Sequence, residues 1–278
     1  MAVVVSYNGR DTIAATVRAL QPQVGRLLIV DNGSEDDTLA VVDGLARDCG
    51  VDVLRLGQNR GIGYALNRGA ECANAGSYAW LLTMDQDSIV DRNLIAAYCA
   101  ESESSPTTVC FTPCINGRTN SHPVPSYDRG YAITSGNLVK LSVLEEVGKY
   151  DEDLFVDCVD LDFSLRLRQA GYAIRRVTTA RMSHQLGERT SIPGFVSVIY
   201  ARHSPLRRYY MCRNYLYLVK WHFWRFPAFL LKMGLMQIVL LVLVGPFDAS
   251  PLKSYRAICR GCADFFAGRT GPYAGQLP

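Results

Sequence analysis

The N-terminal part of the chain alternates between short apolar segments and longer segments in which apolar residues recur at helical spacing. Four apolar segments, each followed by polar residues, predict strands at Ala2–Ser6, Arg26–Val30, Val51–Leu56 and Tyr78–Met84. The intervening segments predict helices over 11–20, 35–49 and 61–75, because apolar residues recur there every three or four positions. Strands that alternate with helices of this length favour an α/β fold with a mainly parallel sheet.

A polar cluster follows each of the four predicted strands. These clusters are Tyr7-Asn8, Asp31-Asn32, Asn59-Arg60-Gly61 and Asp85-Gln86-Asp87. In a parallel sheet the carboxyl ends of the strands share one edge, and ligands bind beyond that edge. The sequence therefore predicts one binding site at the edge where these clusters meet.

The pattern is less regular in the second part of the chain. The stretch from Glu101 to Gly130 is rich in Ser, Thr, Pro and Asn and predicts irregular structure. An apolar pattern resumes at Tyr131–Leu141. It is followed by a predicted short helix over 142–148, a helix over 160–170, a strand over 172–182 and a loop over 183–193.

Composition and charge change this interpretation little. The 278 residues are 49% hydrophobic and 20% charged, as in an ordinary globular protein. The net charge of +3 does not indicate nucleic-acid binding, so we expect no nucleic-acid partner. It leaves room for a basic patch that faces a diphosphate or an anionic membrane.

Nine cysteines are scattered along the chain, and Cys259 and Cys262 form its only CxxC pair. One such pair without a second Cys or His pair is a weak zinc signal, so free thiols in a reducing cytosol fit better than disulfides. The first residues, MAVVVSYN, enter a strand pattern without the features of a secretion signal. We expect a chain on the cytosolic side.

Asp85 and Asp87 are the most informative candidates for chemistry. They are one residue apart on a bend that leaves a very apolar strand, so both carboxylates can converge on one divalent cation. Oxygen ligands suit Mg²⁺ or Mn²⁺, which would bridge to a nucleotide diphosphate. The alternative is a solvated acidic loop. His184 is a third candidate, either as a metal ligand or as a hydrogen-bond donor to the diphosphate, although a lone histidine is often neither.

The other strand-end clusters suit a nucleotide. Asp31 can accept hydrogen bonds from a base or ribose, although Asp-Asn-Gly-Ser is also strong turn chemistry. The glycines at 61 and 63 open a predicted helix whose N-terminus favours an anion. The segment is neither a Walker loop nor a GxGxxG motif, so alone it is a weak signal.

Asp160 stands where a helix is predicted to begin, and it can serve as a general base or as an N-cap. Asp162 can pair with Arg166 at the i,i+4 spacing, which favours a structural role for that pair. Asp157 fits either class. Arg213 belongs to an Arg- and Tyr-rich segment, 207–217, that either clamps a diphosphate or forms an exposed helix face.

Together these residues resemble family 2 glycosyltransferases, whose fold is the GT-A nucleotide-diphosphosugar domain, a Rossmann-like mixed sheet flanked by helices. The resemblance spans about Val3 to Asn214. The motifs that carry it are VSYN at 5–8, VDNGS at 30–34, NRGIGYALNRG at 59–69, DQDS at 85–88, FVDCVDLDFSLRLRQAGY at 155–172, HQLGE at 184–188 and RRYYMCRNYLYL at 207–218. The DQDS, VDCVDLD and HQLG stretches look most like the rhamnosyltransferases of bacterial polysaccharide assembly.

The resemblance implies an inverting transfer of L-rhamnose from dTDP-L-rhamnose to a hydroxyl of a lipid-linked saccharide acceptor. By position, it matches Asp31 and Asn59 to nucleotide contacts, Asp85 to the sugar-nucleotide aspartate, Asp87 to the metal ligand and Asp160 to the catalytic base. Together with the candidates identified from the residues themselves, the expected metal ligands are Asp85, Asp87 and His184. The donor-binding set would be Ser6, Tyr7, Asn8, Asp31, Asn32, Asn59, Gly61, Asn67, Asp85, Gln86 and Arg213, with Asp157, Asp162 and Arg166 as acceptor or supporting residues. The family often has Glu-Asp where this chain has Val159-Asp160, a departure that the rhamnosyl branch shares.

The sequence predicts two regions: a GT-A domain over residues 1–200 and a C-terminal helical region over 201–278. Its apolar run Ala228–Val244 contains Lys232 and Gln237 and follows tryptophans and arginines. This pattern favours a helix that lies in the plane of a membrane surface, with a buried core helix or a true span as alternatives. The protein would then be peripheral at the inner face of the cell membrane.

Three alternatives to rhamnosyl transfer remain at this point. The donor can be another nucleotide-sugar, such as a UDP-hexose. A nucleotidyltransferase shares the sheet and the carboxylates, but it needs a glycine- and lysine-rich loop that Ser6–Arg10 does not supply. A non-catalytic scaffold is disfavoured because Asp31, Asp85, Asp87 and Asp160 are all present.

Overall fold

A computed structural model of the chain describes residues 1–116, 127–184, 189–191, 199–201, 203–243 and 250–275. The chain divides into two compact units. The first comprises Met1–Glu152 and Val159–Gln185, and the second comprises Asp153–Cys158 and Leu186–Pro278. The second unit thus takes in Asp153–Cys158 and residues 186–200, which the division into 1–200 and 201–278 assigns to the first domain.

Nine strands of the described residues form one mixed sheet in the first unit. They are β1 (Ala2–Ser6), β2 (Leu27–Asp31), β3 (Asp52–Arg55), β4 (Trp80–Asp85), β5 (Ser88–Val90), β6 (Cys110–Ile115), β7 (Tyr127–Arg129), β8 (Asn137–Lys140) and β9 (Ile174–His184). The order is β3-β2-β1-β4-β8-β6-β9-β5, with β7 beside β9. Neighbouring strands within the group β1 to β4 run parallel to each other. β8 runs antiparallel to both of its neighbours, β4 and β6.

Six helices accompany this sheet in the described part of the first unit. They are α1 (Ile13–Leu20), α2 (Thr38–Cys49), α3 (Ile62–Ala75), α4 (Leu94–Ser104), α5 (Leu141–Glu146) and α6 (Val159–Gln169). Every residue of β1 and β2 is buried, which is why both strands have continuous apolar sequences. The core between sheet and helices includes Val4, Val17, Ile29, Leu82 and Phe111. The four predicted strands and their crossover helices are confirmed, with ends shifted by a few residues.

The prediction of irregular structure over 101–130 is wrong for part of that stretch. Its first residues finish α4, Cys110–Ile115 forms β6 between β8 and β9, and 127–129 form β7. The register of β6 against β9 shifts between Pro113 and Cys114, so the proline, which has no N–H, stands at an irregularity of the ladder. Residues 117–126 lie outside the described residues.

The second unit contains three described helices and one two-stranded sheet. These elements are β10 (Arg189–Ser191), β11 (Ile199–Ala201), α7 (Pro205–His222), α8 (Pro227–Leu243) and α9 (Pro251–Phe266). The side chain of Ser204 accepts a hydrogen bond from Arg207 N and caps α7, with Pro205 at its first position. Tyr209, Tyr210 and Ala257 are buried in a small core of this unit.

Helix α8 exposes an unusual amount of apolar surface. Leu231, Leu235, Met236, Ile238 and Val242 are each between 57% and 63% exposed. No helix among the described residues combines the length and the apolar character needed to cross a membrane. A contiguous apolar helix face of this kind typically marks an interaction surface.

Candidate active site

The carboxyl ends of β1, β2 and β4 lie side by side, and they carry three of the predicted polar clusters. Ser6 is paired in register with Asp31 on β2, and Val5 with Asp85 on β4. The sheet register therefore brings the Asp31 and Asp85 ends to either side of β1. This is the edge at which the sequence predicts a ligand site.

Three potential metal ligands come together at the end of β4. One ligand atom each of Asp85, Asp87 and His184 lies within 4.8 Å of the other two. Oδ1 of Asp87 is buried and lies 3.3 Å from Nδ1 of His184. No described residue donates a hydrogen bond to this carboxylate oxygen. A buried carboxylate oxygen without a donor suits a cation, and two carboxylates with one imidazole suit Mn²⁺ or Mg²⁺. The residues thus fit a divalent metal.

Strand pairing explains why His184 reaches this site. β5 begins directly after Asp87 and runs antiparallel to the end of β9, with Ser88 opposite His184. Asn116 also holds the backbone of His184 through hydrogen bonds of 2.8 and 3.1 Å. A histidine almost a hundred residues away in the chain is thereby fixed beside the two carboxylates.

Two buried serines support the same cluster, and neither is among the site residues predicted from the sequence. Ser88 Oγ lies 2.7 Å from His184 Nδ1 and accepts a hydrogen bond of 2.6 Å from Ser135 Oγ. Ser135 Oγ also accepts a hydrogen bond from the backbone N–H of Asp85. Ser88 is part of the DQDS motif, so a signal existed for it. Ser135 had none, because its proximity depends on where the loop before β8 packs.

Gln86, between the two aspartates, ties the end of β4 to the loop after β1. Its Oε1 accepts hydrogen bonds from Tyr7 N at 2.8 Å and from Ser6 Oγ at 3.1 Å, and its Nε2 donates to Tyr7 O. Gly9 leaves room for this side chain, since a Cβ there would stand 2.0 Å from Gln86 Oε1. Gln86 therefore holds the strand-end loops together.

Asp31 organises the turn that follows β2. Its carboxylate accepts hydrogen bonds from the N–H groups of Gly33 and Ser34, and its Oδ2 accepts one from Ser34 Oγ. Asn8 Oδ1 accepts from Glu35 N, which connects the loop after β1 to the same turn. The turn interpretation of Asp31 is thus confirmed, and its oxygens keep further lone pairs for a ligand.

The loop before α3 is joined to the end of β2 by two asparagines. Asn32 Nδ2 donates to Asn59 Oδ1 at 3.1 Å, and Asn32 Oδ1 accepts from the backbone N–H of Arg60. Asn59 Oδ1 also accepts from Gly61 N, where the backbone φ of 86° requires glycine. Asn32, Asn59 and Gly61 thus form one rim of the strand-end site.

Asn67 and Arg213 of the predicted donor-binding set are engaged in contacts with the protein. Asn67 is buried on α3 and exchanges hydrogen bonds with the backbone of Tyr150. Arg213 lies in the second unit and is 1% exposed. Its Nη1 donates a hydrogen bond of 2.8 Å to the carbonyl oxygen of Gly271. Arg213 is therefore not on an exposed helix face, and a role in donor binding stays a prediction for both residues.

The first turn of α6 carries Asp160, which is half-buried and accepts a hydrogen bond from Leu161 N on one carboxylate oxygen. The predicted pair of Asp162 and Arg166 is confirmed at 2.8 Å, and Arg166 also donates to the carbonyls of Val147 and Lys149. These contacts anchor the body of α6. A structural role for the Asp162–Arg166 pair follows.

Asp157 lies in the second unit and forms an ion pair with Arg207, with an Nη2–Oδ1 distance of 3.1 Å. Burial raises the pKa of the Asp157 carboxyl, and Arg207 opposes this shift. Its carboxylate therefore has a partner within its own unit.

Comparison with known proteins identifies relatives of the chain. The sequence model described as glycosyl transferase family 2 matches residues 1–148. The dTDP-rhamnosyl transferase RfbF of Shigella flexneri is 28% identical over 235 residues, which cover 77% of each chain. The poly-beta-1,6-N-acetyl-D-glucosamine synthase of Staphylococcus aureus is 25% identical over 61% of this chain and 45% of its own length.

Solved structures with the same fold include two with sugar nucleotides or their components. GalNAc-T7 with UDP, GalNAc and Mn²⁺ has a TM-score of 0.61 and 17% identity, covering 79% of this chain and 47% of that one. S. aureus TarS 1–349 in complex with UDP-GlcNAc has a TM-score of 0.58 and 16% identity, covering 95% and 79%. These likenesses confirm the predicted mixed α/β fold of the GT-A type.

Proposed function

The chain belongs to glycosyl transferase family 2, and we propose that it transfers L-rhamnose from dTDP-L-rhamnose to a saccharide hydroxyl, with inversion at the transferred carbon. The similarity to a dTDP-rhamnosyl transferase over 77% of both chains supports the choice of donor. Membership of this family favours glycosyl transfer over nucleotidyl transfer, the alternative that shares the sheet and the carboxylates.

The observation that carries the proposal is the cluster of Asp85, Asp87 and His184 beside the ends of β1 and β2. These residues would hold Mg²⁺ or Mn²⁺. When bound, such an ion offsets the negative charge that develops on a departing diphosphate. The strand-end loops of β1, β2 and β3 then supply the nucleotide contacts, which we assign to Tyr7, Asn8, Asp31, Asn32 and Asn59.

We assign the general base to Asp160. Its carboxylate takes the proton from the acceptor hydroxyl, the hydroxyl oxygen forms a bond to C1 of the sugar, and the bond from C1 to the diphosphate breaks. One displacement inverts the configuration at C1. The position of Asp160 in the first turn of α6 supports this role, because the partial positive charge of a helix N-terminus interacts favourably with a carboxylate.

A UDP-linked sugar is the second candidate donor. Two observations favour it: a relative is named as a synthase of poly-N-acetyl-D-glucosamine, and similar structures hold UDP or UDP-GlcNAc. A screen that measures consumption of dTDP-L-rhamnose, UDP-GlcNAc, UDP-glucose and UDP-galactose by the purified protein separates the two candidates. Consumption of a UDP-sugar alone contradicts the rhamnosyl proposal.

The metal is tested with Asp87→Asn, which keeps the size of the side chain. We expect Mn²⁺ binding in the presence of dTDP to weaken by at least about 100-fold, since an amide is a poorer ligand than a carboxylate. Asp91→Asn, on the exposed residue after β5, is the matched control. Equal Mn²⁺ affinity of both variants, measured by electron paramagnetic resonance, would remove the metal from the proposal.

We further propose that the acceptor is lipid-linked and that the protein is peripheral at the inner face of the cell membrane. The exposed apolar residues of α8 support this, because a helix with such a face gains free energy by entering the interface of a bilayer. Lys232 and the preceding Trp224, 89% exposed, fit the headgroup region. The region from 201 to 278 would then be the membrane-facing part of the protein.

A further inference from the structure

The segment 153–158 has an unusual backbone. Phe155, Asp157 and Cys158 have φ angles of 64°, 60° and 65°, in the left-handed region that glycine adopts without cost. For a bulky residue such as Phe155 this conformation is an outlier. Such residues persist only where surrounding contacts impose the conformation, and they concentrate at functional sites. The contacts around this segment therefore identify what holds it.

Asn214 of α7 provides the main contact. Its Nδ2 lies 2.8, 2.6 and 3.0 Å from the carbonyl oxygens of Leu154, Val156 and Asp157. The side chain is 0% exposed, so no water competes for these carbonyls. One amide group thus gathers three carbonyls of a six-residue segment onto α7.

Arg213 orients that amide and adds contacts of its own. Its Nε donates to Asn214 Oδ1 at 3.0 Å, which turns Nδ2 of Asn214 toward the carbonyls. Its Nη2 lies 3.3 Å from Leu154 O and 3.4 Å from Asp153 O. The charge is buried over the ring of Tyr210, 5.0 Å from the centroid. The Arg213 guanidinium therefore binds backbone carbonyls of the segment 153–158.

Side-chain contacts reinforce the same conformation. The ring of Phe155 stacks on Tyr210 with centroids 5.3 Å apart, and Asp157 pairs with Arg207. Both partners belong to α7. Contacts from this one helix therefore reach both the backbone and the side chains of the segment.

The segment ends at Cys158, and the next residue in the chain, Val159, begins α6, with Asp160 second in that helix. We propose that Arg213 and Asn214 are positioning residues for Asp160: they impose the left-handed conformation of Phe155, Asp157 and Cys158 and thereby fix the backbone that leads to the base. This inference rests on the proposed role of Asp160. It also gives Arg213 a function that does not require contact with the donor.

Asn214→Ala tests the inference because it removes the contacts of Nδ2 with the three carbonyls without adding a charge. We expect kcat to fall about 10- to 100-fold, since a displacement of about 1 Å at a reacting group costs on that order. The dissociation constant of dTDP should stay within about twofold, because ground-state binding of the nucleotide does not involve the base. Rates are expressed per molecule competent to bind dTDP, so that loss of folded protein does not count.

Tyr217→Phe is the control in the same helix. It removes the hydrogen bond from the Tyr217 hydroxyl to Arg269 O, which does not involve the segment. We expect a lower melting temperature and an unchanged kcat. If Asn214→Ala behaves in the same way, with kcat per competent molecule unchanged, its role is structural only and the inference is wrong.

A variant of the segment itself decides the case if Asn214→Ala does not fold. Cys158→Val leaves α7 intact but disfavours the left-handed conformation, because valine is β-branched. Cys158→Val should lower kcat as Asn214→Ala does, whereas Cys158→Gly should retain activity. Cys158→Gly combined with Asn214→Ala should recover part of the activity that Asn214→Ala loses. An unchanged kcat of Cys158→Val overturns the inference.

Asp160→Asn, assayed in parallel, separates this inference from the proposed function. If Asp160→Asn keeps its activity, both the base and its positioning are wrong. If Asp160→Asn is inactive while Asn214→Ala and Cys158→Val keep kcat, the base stands and only the positioning role fails.

Discussion

The hydroxyl oxygen of Ser88 lies 2.7 Å from Nδ1 of His184, although 96 positions separate the two residues. The pairing of β5 with β9 creates this contact, and the neighbouring Asp87 carries the buried oxygen of the candidate metal site. A group that hydrogen-bonds a ligand histidine restricts the rotation of its ring, and such contacts tune metal affinity. Ser88 therefore orients the His184 ring beside the candidate metal site.

Ser88→Ala should weaken Mn²⁺ binding by about 10- to 100-fold, as is usual when a group that orients a metal ligand is removed. The affinity is measured by electron paramagnetic resonance with dTDP present. Ser104→Ala, on the exposed end of α4, is the control and should bind Mn²⁺ as the wild type does. Equal affinity of the two variants would mean that Ser88 does not support His184.

Asp160→Asn should lower kcat by about 100- to 10,000-fold, because an amide cannot accept the proton of the acceptor hydroxyl. Calorimetry should find the affinity for dTDP nearly unchanged. Asp162→Asn, two residues along the same helix, is the matched control. It breaks the pair with Arg166 and should reduce the free energy of unfolding by about 1.5–3 kcal/mol, with kcat per folded molecule preserved. Loss of dTDP binding in Asp160→Asn would reassign that residue to the donor site.

Gly9→Ala should raise the KM for the donor by about tenfold, the equivalent of one lost hydrogen bond. The new Cβ would collide with Gln86 Oε1 and displace the side chain that links Ser6 and Tyr7 to the aspartates. Gly25→Ala meets no atom within 4 Å and serves as the control. A donor KM equal to that of Gly25→Ala would show that the link through Gln86 does not organise the donor site.

The apolar face of α8 should bind bilayers. Wild-type protein is expected to sediment with vesicles of phosphatidylethanolamine and phosphatidylglycerol. The double substitution Leu235→Glu and Val242→Glu should weaken partitioning at least about tenfold, because each side chain loses a burial free energy of about 1.5–3 kcal/mol. Ala96→Glu with Ala100→Glu on α4 adds the same charge elsewhere. Equal sedimentation of the two double variants would argue against α8 as the membrane contact.

Cys212 should be a slow target for alkylation at pH 8. Burial, together with the neighbouring Cys262 thiol at 3.4 Å, raises the pKa of Cys212 to about 12. Since the thiolate is the nucleophile, iodoacetamide should label exposed Cys99 at least about tenfold faster. The rate for Cys212 should rise with pH up to the raised pKa, as its thiolate fraction grows. Equal labelling of both cysteines, measured by mass spectrometry, would contradict the raised pKa of the half-buried Cys212.

Much of the first unit is predictable from local pattern alone. β1 and β2 are buried throughout, and such strands need continuous apolar segments that end abruptly in polar residues. β6 lacked that signal because Thr112, Pro113 and Cys114 interrupt its apolar character, and only pairing with β8 and β9 makes it a strand. Its assignment therefore depends on partners that the local sequence does not contain.

The candidate site divides in the same way. Asp85 and Asp87 are recognisable because their spacing and their place after a strand are local features. His184 could be named as a candidate from the sequence, but its position beside Asp87 could not be predicted, and nothing in the sequence indicated Ser135. The positions of both residues depend on contacts between distant segments. For Arg213 the sequence left open an anion clamp or an exposed helix face. The structure buries it against backbone carbonyls, since packing decides what surrounds a charged side chain.

The sequence by itself determined the alternation of strands and helices, the polar strand ends and the identity of the acidic residues, because these follow from periodicity and from chemistry within a few neighbouring residues. The tertiary structure alone decided which distant groups meet: His184 with Asp87, Ser135 with Ser88, and Asn214 with the carbonyls of 154–157. The physical reason is that hydrogen bonds and ion pairs act over a few ångströms, and folding rather than chain order sets those distances.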